Sequence, residues 1–156
     1  MTKWFAGTAI CAAALIGSSA VAQSFTYDIV WEPVESIGGM TGPDGPQYRG
    51  GVVSGKYTTT FEDGTVLRGD VRCVGMGQPD GGIFRIHLTC SFSDGEASGT
   101  SVYGCNFLGE PGPDTPLGCV GGIEGKTGDF AGRRGSLTME WYTDKNARGT
   151  GQWYGQ

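Results

Sequence analysis

His87 is the single histidine in this chain of 156 residues, and its 16 carboxylates are scattered along the sequence. One histidine excludes any site built on two or more of them. Arg85 and Thr89 flank His87 at two-residue spacing, which predicts a polar, solvent-facing side chain. A position at the rim of the fold would instead make its imidazole useful as a proton donor or acceptor. Glu140, in the middle of a predicted strand, is either the second catalytic candidate or a surface residue.

Aromatic side chains carry a second kind of chemistry. Tyr27, Tyr57, Tyr103, Trp141 and Trp153 fall on predicted strands, and the phase of most of them points inward. One interpretation is that they fill a core. The other is that they line an apolar pocket for a small molecule, in which hydroxyl and indole groups act as hydrogen-bond donors.

Several function classes are excluded by composition and by missing motifs. The formal charge of −5 argues against a nucleic-acid partner, which would require clustered Lys and Arg. The sequence contains no nucleophile elbow, phosphate loop, paired-histidine zinc motif or strand-associated dinucleotide fingerprint. We therefore predict no cofactor and no metal site.

The first 22 residues are typical of a signal peptide. Lys3 supplies the positive charge, residues 4–16 are largely apolar, and Ala20-Val21-Ala22 fits the small-x-small cleavage pattern. We expect Gln23 to become the new N-terminus, so residues 23–156 form a single exported domain, periplasmic or secreted. The uncharged run is also long enough for an uncleaved anchor. After cleavage no membrane contact is expected.

Four cysteines remain after cleavage: Cys73, Cys90, Cys105 and Cys119. An even number in an exported domain predicts two disulfides, for which three pairings are possible. Cys105–Cys119 is favoured because these residues flank a Gly/Pro-rich loop that reverses the chain. Cys73–Cys90 then follows by exclusion. A four-thiolate zinc site would require closer, CxxC-like spacing.

Alternation of apolar and polar residues predicts β-strands throughout the mature chain. The clearest hairpin joins residues 53–61 to residues 67–73 through the turn Glu62-Asp63-Gly64. In all, the pattern predicts eight short strands: 25–31, 53–61, 67–73, 84–92, 99–107, 117–124, 136–143 and 147–154. Hairpin-sized connections favour an all-β fold, a single antiparallel eight-stranded barrel or a sandwich. Residues 33–51 are predicted to be irregular, as a lid or as a surface loop.

Residues Gly125 to Ser136 form the most distinctive segment. They resemble the T-G-x-F-x-x-x-x-G motif of allene oxide cyclase barrel-like proteins, a superfamily that includes plant allene oxide cyclases and dirigent proteins. The resemblance implies a closed barrel over residues 23–156, a pocket or structural role for Arg134, and a homo-oligomer as one possible state. Phe130 is expected to plug the barrel end. The catalytic residues of the plant cyclases cannot be placed on this sequence, so cyclase activity does not follow.

Three functions remain open at this point. The first is a cofactor-independent lyase, isomerase or cyclase that acts on a small apolar or phenolic molecule in the barrel. The second is a non-catalytic lipocalin- or dirigent-like protein that binds such a molecule. The third is a surface or matrix protein with a fully packed barrel. An interior cavity above about 300 Å³ would favour the first two over the third.

Overall fold

The computed structural model describes residues 22–40, 48–77, 82–111, 114–142 and 145–155. The signal peptide predicted for residues 1–22 therefore lies almost wholly outside the described residues. Within them the fold is all-β, as predicted, with one 3₁₀ turn at Gly128–Phe130. The strands are β1 (Gln23–Trp31), β2 (Glu35–Met40), β3 (Tyr48–Phe61), β4 (Val66–Gly77), β5 (Ile86–Ser93), β6 (Ser98–Phe107), β7 (Leu117–Thr127), β8 (Arg134–Trp141) and β9 (Asn146–Trp153).

Eight of these strands form a closed antiparallel barrel, which confirms the predicted architecture. Strands β3 to β9 follow one another as hydrogen-bonded neighbours, and β1 closes the barrel by pairing with both β9 and β3. Closure leaves no free edge among these eight strands, which removes the usual site of edge-to-edge association. Strand β2 lies outside the barrel and pairs with β3.

The prediction that residues 33–51 are irregular is wrong for most of this segment. Glu35–Met40 forms β2, and the residues from Tyr48 onward belong to β3. Strand β3 has 14 residues and β1 has nine, so the first part of β3 extends beyond β1. Strand β2 supplies backbone hydrogen bonds to that extension, which would otherwise lack a partner on this side. Residues 41–47 lie outside the described part of the chain.

The inner faces of the strands follow the two-residue period that the sequence predicts. Phe25, Tyr27, Ile29 and Trp31 are buried along β1, while the residues between them are exposed. Phe84 departs from the prediction, because β5 begins only at Ile86 and the Phe84 ring packs on Gly104. The Phe84 ring also lies roughly perpendicular to the exposed His87 ring, with 5.9 Å between ring centroids. Phe84 therefore covers part of the outer face of the barrel.

Large inward side chains lie opposite inward glycines on neighbouring strands. Tyr27 is paired with Gly149, and Tyr103 is paired with Gly121. In each pair the ring leans over the glycine, in space that a Cβ atom would occupy. The same arrangement recurs at Phe25–Gly151, Trp31–Gly55, Tyr57–Gly69, Leu88–Gly75 and Phe92–Gly99. Alternation of large and small residues fills the interior of a small barrel, and it accounts for these seven of the 30 glycines in the chain.

Both predicted disulfides are present and buried inside the barrel. Cys73 on β4 is bonded to Cys90 on β5, and Cys105 on β6 is bonded to Cys119 on β7. Each pair occupies directly opposite positions in the strand register. A disulfide closing a loop of this length contributes roughly 3 kcal/mol in the chain-entropy model. The barrel wall is thus cross-linked twice across neighbouring strands.

Candidate functional site

One end of the barrel contains a cavity of about 80 Å³, which we call the tyrosine cavity. This end, the turn end, is where residues 62–65, 94–97 and 128–133 connect the strands. Four of the aromatic residues predicted to form a pocket line the cavity: Tyr27, Tyr57, Tyr103 and Trp153. Its other lining residues include Ile29, Leu67, Phe92, Asp94, Ser101, Phe130 and Leu137. The walls are mainly apolar, and the polar groups are few.

Two tyrosine hydroxyl groups meet inside the barrel. The Tyr27 hydroxyl lies 3.2 Å from the Tyr103 hydroxyl and donates to the Thr138 carbonyl oxygen at 2.8 Å. The Tyr27 ring reaches the backbone of β8 because Gly149 on the intervening strand has no Cβ, which would overlap both groups. Ser101, buried to 5% exposure, faces inward two residues before Tyr103 on β6.

The cavity keeps its tyrosines protonated. Burial, reinforced by the neighbouring Tyr103, holds the pKa of Tyr27 far above its ordinary value. Burial also raises the pKa of Tyr103. Partial burial, with a smaller effect of the Asp94 and Asp70 carboxylates, raises the pKa of Tyr57 to about 12. None of the three phenols can act as a base at neutral pH.

Asp94 is the one carboxylate among the described residues that line the cavity. Its Oδ1 atom accepts hydrogen bonds from the backbone N–H groups of Glu96 at 3.0 Å and Ala97 at 2.7 Å. These bonds define an Asx-type turn between β5 and β6. The carboxylate therefore shapes the rim of the cavity.

Phe130 covers part of the turn end, as expected of a plug. Its ring stacks on Phe61 at 5.7 Å and on Trp153 at 5.0 Å between ring centroids. The Arg133 guanidinium lies 5.4 Å from the centre of the Phe130 ring. Gly128, at φ 69°, begins the turn that carries Phe130, in a conformation that favours glycine.

Trp141, which was also predicted to line a pocket, lies at the opposite end of the barrel. It stacks on Trp31 with 4.7 Å between ring centroids. Together with Val53, Ile86 and other residues it lines a separate apolar depression of about 260 Å³. The structure therefore does not bring Trp141 together with the tyrosines.

The two catalytic candidates and Arg134 lie on the outer surface. His87 and Arg134 are exposed on β5 and β8. Glu140 accepts hydrogen bonds from Tyr142 and, at 3.4 Å, from Arg148. The Tyr142 hydrogen bond in particular holds the pKa of Glu140 below its ordinary value. None of the three lines the tyrosine cavity, and the roles expected of them stay predictions.

Sequence reasoning missed Ser101 and Phe92 as cavity residues. Both lie on the inward face of predicted strands, Ser101 in phase with Tyr103 and Phe92 in phase with Cys90. Neither is a tyrosine or a tryptophan, the residue types from which the pocket was predicted. Extending the two-residue phase from Tyr103 to every residue of its strand would have identified the serine.

Comparison with known proteins gives no matching family model, no matching curated protein and no matching solved structure. In the described part of the chain no three His, Cys, Asp or Glu side chains are grouped as metal ligands would be. Within those same residues no helix has the length and apolar character needed to span a membrane.

Proposed function

We propose that this chain is an exported binding protein that holds a single-ring apolar or phenolic molecule at the turn end of the barrel, without catalysing a reaction. The observation that carries the proposal is the tyrosine cavity, whose apolar walls surround a small set of hydroxyl groups. Such a combination is typical of small-molecule sites, where apolar contacts supply affinity and a few polar groups fix orientation.

The volume of the cavity supports partial rather than complete enclosure of the ligand. Its 80 Å³ is below the 300 Å³ that would favour a ligand pocket, so volume alone favours the fully packed barrel; an engineered cavity that binds benzene measures about 150 Å³. In this proposal only the polar end of a single-ring molecule enters the cavity, and its ring lies in the mouth. There Tyr57, Leu67 and Phe92 offer apolar contact surface.

The protonation state of the cavity favours binding over catalysis. A lyase or isomerase that moves protons requires a group with a pKa near the working pH. The three cavity tyrosines have raised pKa values, and Asp94 is engaged in its turn. The lyase, isomerase or cyclase hypothesis would have to rely on shaping a reactive substrate alone.

Two observations support export to an oxidising compartment. Strand β1 begins at Gln23, the residue expected to follow signal cleavage, so the barrel strands all lie after the cleavage site. The two buried disulfides are typical of proteins that fold outside the cytosol. Kinship with the allene oxide cyclase barrel-like superfamily is part of the same proposal.

The test is calorimetric titration of protein purified from an exporting host with phenol, benzyl alcohol and benzene. We expect saturable binding that Ser101→Leu abolishes, because the leucine side chain would occupy the cavity. Ser91→Leu, on the exposed face of the neighbouring strand, is the matched control and should bind normally. Absence of binding at millimolar concentrations would overturn the proposal and favour the packed-barrel hypothesis.

A further inference from the structure

The mouth of the tyrosine cavity carries one negative charge. Asp94 is the one charged side chain among the described residues that line the cavity, and these include no Lys, Arg or His. Its Oδ1 atom accepts the backbone N–H groups of Glu96 and Ala97. Within the described part of the chain its Oδ2 atom accepts no hydrogen bond and Asp94 forms no salt bridge. One oxygen of the carboxylate is therefore left for a ligand.

Two cations at the turn end have partners other than Asp94. The Arg133 guanidinium lies over the Phe130 ring and donates to Gln23 at 3.2 Å. Lys126 pairs with Glu124 at 2.8 Å. The charge of Asp94 thus acts on the mouth without a paired cation among these groups.

Aromatic rings lie at the same mouth as this carboxylate. Tyr57 and Phe92 are partly buried there and meet edge to face, with 6.2 Å between ring centroids. The face of an aromatic ring attracts an ammonium group, and more strongly where water is partly excluded. A carboxylate combined with aromatic rings is therefore suited to an organic ammonium ion.

The distance from the buried hydroxyl groups to the Asp94 turn sets the length of such a ligand. Ser98 pairs with Ser93, the residue before Asp94, and Ser101 lies three residues further along β6. At about 3.3 Å per residue, Ser101 is about 10 Å from the level of Ser98. A phenol with a two-carbon amine side chain spans this distance.

We infer that the tyrosine cavity prefers phenols that carry an ammonium side chain, with the phenol hydroxyl directed into the cavity and the ammonium group bound to Asp94. This inference rests on the proposed function and adds the charge of the ligand to it. The ring then lies between the two polar ends, against Tyr57 and Phe92.

Tyramine, 4-ethylphenol and 3-(4-hydroxyphenyl)propionate test the inference. They share a phenol ring with a two-carbon chain, and they end in an ammonium group, no charge and a carboxylate, respectively. We expect calorimetric titration at neutral pH and low salt to show tyramine binding about fivefold to tenfold more tightly than 4-ethylphenol, because a charged hydrogen bond is added at a partly exposed site. The propionate should bind most weakly, since its carboxylate meets a like charge.

Asp94→Asn should remove the preference for tyramine over 4-ethylphenol. The amide is neutral, while its carbonyl oxygen can still accept the two hydrogen bonds of the turn. Glu96→Gln is the matched control, because it removes one carboxylate from an exposed position on the same turn, and it should keep most of the preference. In the native protein, about 1 M sodium chloride should reduce the preference by screening the pair.

The outcomes separate the two proposals. Equal binding of tyramine and 4-ethylphenol by the native protein would overturn the selection of ammonium groups and leave the binding function standing. A preference that persists in folded Asp94→Asn, or that Glu96→Gln removes equally, would overturn the assignment to Asp94. If Asp94→Asn does not fold, a preference that salt leaves unchanged would overturn it instead. Binding of none of the three probes would overturn both proposals.

Discussion

At the scale of single residues, Tyr27, Tyr57 and Tyr103 each place an apolar ring and a protonated hydroxyl inside the barrel. Tyr27 and Tyr103 are almost fully buried, whereas Tyr57 is half-buried at the mouth. Their raised pKa values follow mainly from this burial, because the interior disfavours the phenolate. The same effect links the tyrosines to stability at alkaline pH.

The pKa shifts predict loss of stability above about pH 10, where tyrosine in an unfolded chain begins to ionise. The folded state retains protons that the unfolded state releases, so the free energy of unfolding should fall as pH rises toward 12, the approximate pKa of Tyr57. Below pH 10 the tyrosines should contribute no pH dependence. Urea unfolding followed across this range measures the effect.

Two variants distinguish titration from general destabilisation. Tyr27→Phe should make the alkaline decrease less steep, because one group with a raised pKa is removed. Leu137→Val, which also lines the cavity but does not titrate, should lower the free energy of unfolding equally at every pH. Equal steepness in Tyr27→Phe and the native protein would contradict the account of Tyr27.

The sequence was informative about which residues face inward, and less so about where along the barrel they lie. The two-residue period placed Tyr27, Tyr57 and Tyr103 on the inner face, because one face of each barrel strand is buried. It could not show that Trp141 belongs to the opposite end, which depends on the direction and register of strand β8. The pocket or structural role of Arg134 was expected from the resemblance alone. Because side chains alternate along β8 and Gly135 faces inward, Arg134 faces outward.

At the scale of elements, the pairing of large side chains with glycines determines how closely neighbouring strands can pack. Tyr103 lies opposite Gly121, and Tyr27 lies opposite Gly149. These pairs could not be predicted from composition, because they depend on the strand register. Strand β2 was missed for a related reason: its Gly-rich sequence lacks clear alternation, and only the overhang of β3 creates a place for it.

Adjacent glycines on β7 provide a matched test of this packing. A Cβ on Gly121 would overlap the Val102 carbonyl oxygen, whereas on Gly122 its nearest neighbour is the Gly135 carbonyl oxygen at 3.7 Å. Gly121→Ala should therefore lower the free energy of unfolding by about 1–3 kcal/mol. Gly122→Ala should leave it unchanged or raise it by less than about 1 kcal/mol.

Urea unfolding monitored by tryptophan fluorescence compares the two variants directly. A similar loss of stability in both would show that glycine is required along β7 for its backbone and not for the space opposite Tyr103. A loss confined to Gly121→Ala would support the packing explanation.

At the scale of the whole molecule, the pairing of β1 with β3 closes a series of hairpins into a single barrel. The all-β fold and both disulfides were predictable, because alternation and cysteine positions are local properties of the sequence. Alternation alone left a barrel and a sandwich open, and closure was expected from the resemblance. The small volume of the interior was not predictable, since it depends on how all the side chains pack together. A homo-oligomer stays a prediction. The outer face of β4, β6 and β7 carries exposed apolar residues on which such an association would depend: Val74, Met76, Val102 and Val120.

The most direct test of the account is an NMR titration of the ring-¹³C-tyrosine-labelled protein with benzyl alcohol. The central claim is that the turn end of the barrel binds such a molecule against its tyrosines. The account predicts saturable shifts of the Tyr27, Tyr57 and Tyr103 ring signals, while those of Tyr142 and Tyr154 remain in place. Shifts confined to Tyr142 and Tyr154, or no shifts at saturating alcohol, would contradict it.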